Sequence, residues 1–277
     1  MVYVGSPTKA RGELRAVIGI DAAWTATEPS GVALLVEDAR GWRSAAVAPS
    51  YADFVTLGDG GSVDWDRSRI EGNPPEPERL LRAARAIAPG ATVEVVCLDI
   101  PLSRGAITGR RRADNDVSRL FGARGCGTHS PSVLRPGRIS ELLRDGLAES
   151  GFPLVTSLTS AHVPAALEVY PHTALLALLA ARYRVPYKVS KASKFWPNEA
   201  RDVRRQRVLE QWTRITTALR THLEVQLDIP TQFPTASRMK RYEDVIDALV
   251  CAWVGIEYLN GRVSAFGDEE GAIWSPS

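Results

Sequence analysis

The stretch RAVIGIDAAW, residues 15–24, decides how the rest of the sequence is interpreted. Its apolar run ends at Ile20 and is typical of a buried strand that is covered on both faces. The strand then ends on Asp21, although a carboxylate is costly to bury unless it is paired, hydrogen-bonded or bound to a metal. Two interpretations of Asp21 stay open at this point. It is either a strand-end acid that bonds nearby backbone amides or part of a functional site.

The composition is that of an ordinary soluble globular protein. Of the 277 residues, 44% are hydrophobic and 24% are charged, with a net charge of +2. This length allows one large domain or two modest ones, and so small a net charge indicates no class of partner. Three widely spaced cysteines predict no disulfide framework. Because neither a signal-peptide pattern nor a long apolar run occurs, we expect a cytoplasmic protein.

Strand and helix patterns alternate along the chain. The strand at Asp21 and the segments 31–37 and 42–49 predict a three-stranded meander. The run VEVVCLDIP, residues 93–101, then repeats the opening pattern and carries Asp99 near its end. The other predicted elements are a helix over 78–88, a basic loop over 102–136, a helix over 139–150, a strand over 165–170, a helix over 173–183, a long amphipathic helix over 198–225, an apolar helix over 242–259 and a short final strand.

This alternation predicts an α/β sandwich, a mixed sheet flanked by helices. We expect one domain over residues 1–277, with a helical insertion around 186–240. In the long helix, the residues predicted to face inward are Val203, Leu209, Trp212, Ile215, Leu219 and Leu223.

Acidic residues recur at the ends of the predicted strands. Asp21, Asp99 and Glu168 each stand near the carboxyl end of an apolar run, which is where ligands gather in open α/β sheets. In the segment YEDVIDALVCAW, Asp244 and Asp247 share the apolar face of one helix. The neighbouring Glu243 and Asp244 can be explained as first-turn acids that complement the helix dipole, but Asp247 lies deeper. No spacing rule guarantees that these side chains meet.

If the acids do meet, they need protons or cations. Two carboxylates about 4 Å apart repel each other by roughly 4 kcal/mol at an effective dielectric constant near 20. Oxygen ligands select Mg²⁺ or Mn²⁺, and a pair of such ions can hold both the attacking and the leaving oxygen of a phosphodiester while water attacks. A converging cluster therefore indicates metal-dependent phosphodiester hydrolysis.

Six short segments, in order, carry a family resemblance. They are GIDAAW, LDIPL, RRADNDVSRLFGARG, EVYPH, EDVIDALVCAW and GDEEGAIW. Together they resemble domain-of-unknown-function family four-two-nine, described as predicted ribonuclease H-like nucleases, and the helix DVIDAL is similar to that of RuvC-type junction resolvases. The resemblance implies a ribonuclease H-like fold and a metal-dependent nuclease site. Its implied ligands are Asp21, Asp99, and Asp244 or Asp247.

The sequence departs from the family's commoner pattern near Glu168, which occupies the position of the family's strand-end glutamate. His172 stands where a second acid often follows that glutamate, and GCGTHSPS replaces a more apolar stretch. These departures leave the role of the Glu168 region open.

Arginines are dense in the loop that follows Asp99, and arginine suits bidentate phosphate binding. The candidates for contacts with a substrate phosphate are Arg111, Arg112, Arg119, His129 and His172. The alternative is a solvated loop in which the arginines pair with Asp114 and Asp116.

We therefore predict a nuclease that uses Mg²⁺ or Mn²⁺ in a two-metal-ion mechanism and binds DNA or RNA. Asp21, Asp99 and Asp247 are the main predicted ligands, with help from Asp244 and Glu168. An ATPase or phosphotransferase of the actin and sugar-kinase type shares the core fold, but the stretch AAWTATEPSG after Asp21 is poor in the glycine that phosphate loops need. A non-catalytic nucleic-acid-binding protein with a degenerate site is the other alternative.

Overall fold

A computed structural model describes residues 14–157 and 162–277. The strands in these residues are β1 (Leu14–Asp21), β2 (Gly31–Asp38), β3 (Gly41–Ala48), β4 (Ala91–Leu98), β5 (Ala165–Val169), β6 (Leu223–Glu224), β7 (Val263–Gly267) and β8 (Ala272–Pro276). The α-helices in them are α1 (Tyr51–Gly58), α2 (Pro77–Ile87), α3 (Arg112–Phe121), α4 (Arg138–Glu149), α5 (Pro171–Leu178), α6 (Ala192–Phe195), α7 (Arg201–Leu219) and α8 (Ala236–Leu259).

The described strands form one mixed sheet in the order β6-β3-β2-β1-β4-β5-β8-β7. Strands β1, β2 and β3 form the predicted antiparallel meander. Strands β4 and β5 then extend the sheet in parallel to β1. The predicted α/β class with a mixed sheet flanked by helices is confirmed.

Alternating residues of β1 face two separate apolar layers. Val17 packs into the layer that joins the sheet to α5, α7 and α8. Ile18 and Ile20 pack into the layer that joins the opposite face to α1, α2 and α4. Because both faces are covered by helices, the central strands are nearly continuous apolar runs in the sequence.

Helix α8 lies unusually close to the sheet, and glycines make this possible. A Cβ atom on Gly19 would lie only 2.0 Å from the carbonyl oxygen of Ala248, and one on Gly31 would lie 2.3 Å from that of Asp244. No side chain larger than hydrogen fits at these contacts. The first half of α8 is thereby held against the carboxyl end of β1.

Some predicted boundaries and elements were wrong. The segment 102–136, predicted as a loop, contains α3, whose only fully apolar buried positions are Ala113 and Val117. With so few apolar positions, the sequence shows little of the helical repeat from which α3 could have been predicted. Helices α5 and α7 end earlier than predicted, at Leu178 and Leu219, and α8 begins earlier, at Ala236. The predicted elements also did not include α1, α6 or β7.

Val203 was predicted to face inward, but it is 45% exposed. It lies in the first turn of α7, before the part of the helix that packs on the core. The residues of α7 that do join the core are Val208, Trp212, Ile215 and Leu219. Most of the predicted core-facing positions of this helix were thus correct. Leu223 is buried as well, but in β6 beside β3.

No helix in the described part of the chain combines the length and apolar character needed to cross a membrane.

We expect Gly19→Ala to lower the free energy of unfolding by at least about 2 kcal/mol, because the added methyl group forces α8 away from the sheet. Urea denaturation measures this loss. The matched control is Gly122→Ala, since Gly122 has helical backbone angles and a methyl group added there would meet nothing within 4 Å. That change should be neutral or stabilising by up to about 1 kcal/mol. Equal effects at both positions would contradict the close-packing explanation.

Candidate active site

The carboxyl ends of β1 and β4 place Asp21 and Asp99 side by side. The two strands are parallel neighbours, and the Asp99 amide donates a hydrogen bond to the Ile20 carbonyl oxygen at 2.8 Å. Val17, four residues before Asp21, and Cys97, two residues before Asp99, both belong to the apolar layer under α8. Because side chains alternate along a strand, both acids fall on the α8 face of the sheet.

Helix α8 brings a third acid, Asp247, to the same edge. Asp247 is fully buried. The Tyr187 hydroxyl donates a hydrogen bond to its Oδ1 at 2.5 Å, and the Lys188 ammonium donates to its Oδ2. Burial raises the pKa of Asp247 to about 6; Lys188 opposes that shift, whereas Asp21 adds to it. We call Asp21, Asp99 and Asp247 the carboxylate cluster.

Electrostatics indicate that the three acids are within reach of one another. Burial raises the pKa of Asp99 well above its ordinary value, and the charges of Asp21 and Asp247 raise it further. Glu243, one turn before Asp247 on α8, adds a fourth acid, which is buried like Asp247. It accepts a hydrogen bond from the Val189 amide at 2.5 Å.

Lys188 is a partly buried cation that lies among these acids. Its Nζ lies 3.6 Å from Glu243 Oε1 and also bonds Asp247. Burial alone would lower the pKa of Lys188, but Asp247 and its other anionic neighbours raise it well above its ordinary value. Lys240 adds a second, half-exposed ammonium at 3.3 Å from Glu243. Three cluster acids and Glu243 thus face two ammonium groups, so negative charge is in excess.

This donor set fits a hard divalent cation by its chemistry but is not preassembled for one. All three cluster side chains offer carboxylate oxygens, which are the ligands that Mg²⁺ and Mn²⁺ prefer. Nevertheless, in residues 14–157 and 162–277 no three Asp, Glu, His or Cys side chains are grouped so that they could hold a metal ion as they lie. Lys188 already engages the Asp247 oxygen that such an ion needs.

Glu168 does not join the carboxylate cluster. It pairs in the sheet with Leu98, which faces the apolar layer opposite α8. Arg111 donates to its two oxygens at 2.6 and 2.7 Å, and the Leu102 amide donates at 2.7 Å. Glu168 is close enough to add to the rise in the Asp99 pKa, but its carboxylate is occupied by these donors.

The predicted phosphate-binding arginines are also engaged. Arg111 is nearly buried between Glu168 and Asp114. The guanidinium groups of Arg112 and Arg119 both pair with Asp116 while remaining largely exposed. The arginines thus pair with Asp114 and Asp116 as in the alternative, but the segment contains a helix rather than only a solvated loop, and Arg111 also binds Glu168. The predicted ligand Asp244 is paired likewise, with Lys240, and it packs against the start of β2.

A cavity of 280 Å³ adjoins the carboxylate cluster. Asp99 and Glu243 line it, as do the predicted phosphate contacts His129 and His172. Its basic lining residues are Arg184, Lys188, Lys191 and Lys240. The cavity therefore presents both acidic and basic side chains to a ligand.

Sequence reasoning missed Tyr187, Lys188 and Glu243. The first two lie at the start of the predicted insertion. The only indication of them in the sequence was a lysine flanked by apolar and aromatic residues in VPYKV. Glu243 was explained as a first-turn acid, but α8 begins already at Ala236, so Glu243 lies well inside the helix. An acid buried that deep needs partners, and Lys188 and the Val189 amide provide them.

We expect Arg111→Met to lower the free energy of unfolding by about 3–5 kcal/mol, because it leaves Glu168 buried without its partner. The double variant Arg111→Met/Glu168→Leu should recover part of that loss, as a double-mutant cycle in urea will measure. Arg112→Met is the matched control on the same segment and should cost less than about 1 kcal/mol, since its ion pair is exposed. An Arg111→Met loss no larger than the control's would contradict a structural ion pair.

The comparisons with known proteins give a family and nothing more specific. The chain matches no curated protein and no solved structure. Residues 9–271 match the family model described as "Protein of unknown function (DUF429)". As this match spans nearly the whole sequence, including the carboxylate cluster, the chain belongs to the DUF429 family.

Proposed function

We propose that this protein is a metal-dependent nuclease that hydrolyses phosphodiester bonds of nucleic acid with Mg²⁺ or Mn²⁺. One observation carries the proposal. Asp21, Asp99 and Asp247 come from three separate elements and lie close enough at the carboxyl edge of β1 and β4 for the charges of Asp21 and Asp247 to raise the pKa of Asp99. Asp247 is fully buried and the other two are partly buried. Bringing repelling acids together away from water is costly, and a cation at this edge would offset that cost.

We further propose that the fold is of the ribonuclease H-like type. The antiparallel meander β1-β2-β3 and the parallel strand β4 beside β1 support this assignment. So does α8, which lies on the sheet and carries Asp247 to Asp21 and Asp99. These are the features on which the resemblance to ribonuclease H-like nucleases depends.

In this proposal the carboxylate cluster and its neighbours Tyr187 and Lys188 have different tasks. Asp21, Asp99 and Asp247 hold the cation. A Mg²⁺ or Mn²⁺ ion held there would supply polarisation of the phosphodiester and a lowered pKa for the attacking water. Tyr187 orients the Asp247 carboxylate through its hydrogen bond to Oδ1. Lys188 favours the ionised form of Asp247, so that this carboxylate is ready to bind a cation.

Glu168 and Arg111 act in the proposal as positioning residues. Their ion pair also binds the chain that follows Asp99, because Glu168 accepts from the Leu102 amide and Arg111 donates to the Leu102 carbonyl oxygen at 2.6 Å. Fixing Leu102 restrains the backbone that presents Asp99. Asp244, paired with Lys240, is assigned no direct contact with the metal.

The non-catalytic alternative is favoured by one specific observation. Lys188 bonds Asp247 directly, and a built-in ammonium can neutralise part of the cluster without any metal. In that case the protein binds nucleic acid but does not cleave it. Metal binding distinguishes the two functions.

We expect Mn²⁺ or Mg²⁺ at a hundredfold excess over Kd to stabilise the wild type by about 2.7 kcal/mol, which raises Tm by about 5 °C. Asp21→Asn, Asp99→Asn and Asp247→Asn should each abolish this rise, since each removes a ligand. Glu168→Gln should retain it. Glu257→Gln is the control, because Glu257 is a buried acid near the other end of α8 that pairs with Arg262. A wild-type Tm that does not change with either metal would favour the non-catalytic alternative.

We expect wild-type protein with Mn²⁺ to cleave at least one member of a panel of single-stranded, duplex, hybrid and branched oligonucleotides. Asp99→Asn should reduce the rate by at least about 100-fold. Even the loss of a group that only supports a metal ligand lowers activity by about 10- to 100-fold. Chelation should abolish cleavage, and Glu257→Gln should cleave like the wild type. Cleavage that survives Asp99→Asn would show a contaminating nuclease or a different site.

A further inference from the structure

The environment of His172 defines which of its ring nitrogens carries the proton. His172 is only 5% exposed, and its Nε2 lies 2.5 Å from Nη2 of Arg184. A guanidinium can only donate hydrogen bonds, so Nε2 accepts. Burial, Arg184 and Lys188 all hold the pKa of His172 well below its ordinary value. The ring is therefore neutral and carries its one proton on Nδ1.

Two buried N–H groups at this place have no acceptor. Within residues 14–157 and 162–277, neither His172 Nδ1 nor Arg184 Nε finds a hydrogen-bond partner. Leaving buried donors unsatisfied is costly, and such groups are rare in native structures unless a ligand or water completes them. Both residues line the 280 Å³ cavity beside the carboxylate cluster. An acceptor held in this cavity would satisfy them.

The rest of the cavity tells which kind of acceptor enters. Arg184 pairs with no carboxylate in the described part of the chain; its side-chain partners there are His172 and the Gly125 carbonyl oxygen. Of the acids that line the cavity, Asp114 and Glu168 share Arg111, and Glu243 lies 3.6 Å from Lys188 and 3.3 Å from Lys240. Lys191, like Arg184, pairs with no carboxylate among the described residues, and His129 and Ser190 also line the cavity. Two uncommitted cations beside spare N–H donors favour an anion with several oxygens.

We propose that Arg184 and His172 form a phosphate-binding pocket that receives a phosphoryl group of a nucleic-acid strand next to Asp99. This rests on the proposed nuclease function for the identity of the strand. A guanidinium donates in a planar fork that matches phosphate oxygens, and the imidazole Nδ1–H adds a neutral donor. At 280 Å³ the cavity is at the small end for ligand sites, so one phosphoryl group with its sugar fits better than a longer stretch of strand.

The first test is the binding of inorganic phosphate to the full chain in EDTA, measured by isothermal titration calorimetry. Arg184→Gln and His172→Gln should each weaken binding at least about tenfold, which corresponds to about 1.4 kcal/mol. Arg85→Gln is the control, since Arg85 is exposed on α2 and the same charge is lost. No binding by the wild type, or equal binding by all four proteins, would overturn the proposal.

A second measurement needs no substitution and so does not depend on whether the variants fold. In wild-type protein labelled with ¹⁵N-histidine, phosphate should shift the Nδ1–H resonance of His172, because that proton gains an acceptor. An unchanged His172 resonance at saturating phosphate would overturn the assignment of this residue.

Oligonucleotides then distinguish the two sources of the phosphoryl group. If the pocket takes a terminal phosphate, a short strand with a 5′- or 3′-phosphate should shift the His172 resonance and its hydroxyl-ended counterpart should not. If it takes an internal diester, both strands should shift it. A shift by inorganic phosphate but by neither strand would overturn the nucleic-acid assignment of the pocket.

Metal titration in phosphate-free buffer separates this proposal from the proposed function. Metal binding without phosphate binding would overturn the pocket and leave the nuclease proposal intact. Phosphate binding without metal binding would support the pocket and count against the nuclease.

Discussion

The close approach of α8 to the sheet is the constraint on which the site depends. Gly19 and Gly31 let the helix backbone come within contact distance of β1 and β2. Only at this separation does the first half of α8 deliver Asp247 to the edge where β1 and β4 end. A helix held further out by ordinary side chains would leave Asp21 and Asp99 without their third partner. The apolar core and the polar site are therefore two results of the same packing contact.

The second consequence is electrostatic. Bringing the acids together under a helix removes water from them, which is why burial is the largest cause of the raised pKa of both Asp99 and Asp247. Lys188 offsets part of the excess charge, and its segment enters from the region between β5 and α7. The same segment carries Arg184 to the cavity. One short stretch thus supplies positive charge both to the acids and to the neighbouring cavity, and the proposed metal and phosphate sites both depend on this arrangement.

The sequence predicted the sheet and its class well because the strand patterns are local. The runs ending at Asp21 and Asp99 are apolar, bounded by turns and long enough to be identified without tertiary information. Helix α3 was missed because its apolar stripe is narrow, and α7 was given ends that only packing determines. These are failures of local pattern where tertiary contacts decide the structure.

The candidate site was predictable only in part, for a physical reason. Position at a strand end indicated that Asp21, Asp99 and Glu168 could meet, but it did not tell on which face of the sheet each side chain lies. The register of β5 against β4 puts Glu168 opposite the cluster, where Arg111 binds it. Lys188 was visible in the sequence only as a lone lysine within an apolar stretch, and such a lysine becomes informative only when its long-range partner Asp247 is known.

Diffraction from crystals grown with Mn²⁺, recorded to locate the anomalous signal of manganese, tests the central claim most directly. The account predicts a peak in contact with the carboxylates of Asp21, Asp99 and Asp247, with the Lys188 ammonium no longer on the Asp247 oxygen that it now bonds. Saturating Mn²⁺ that leaves no peak at the cluster, with Lys188 still bonded to Asp247, would contradict it.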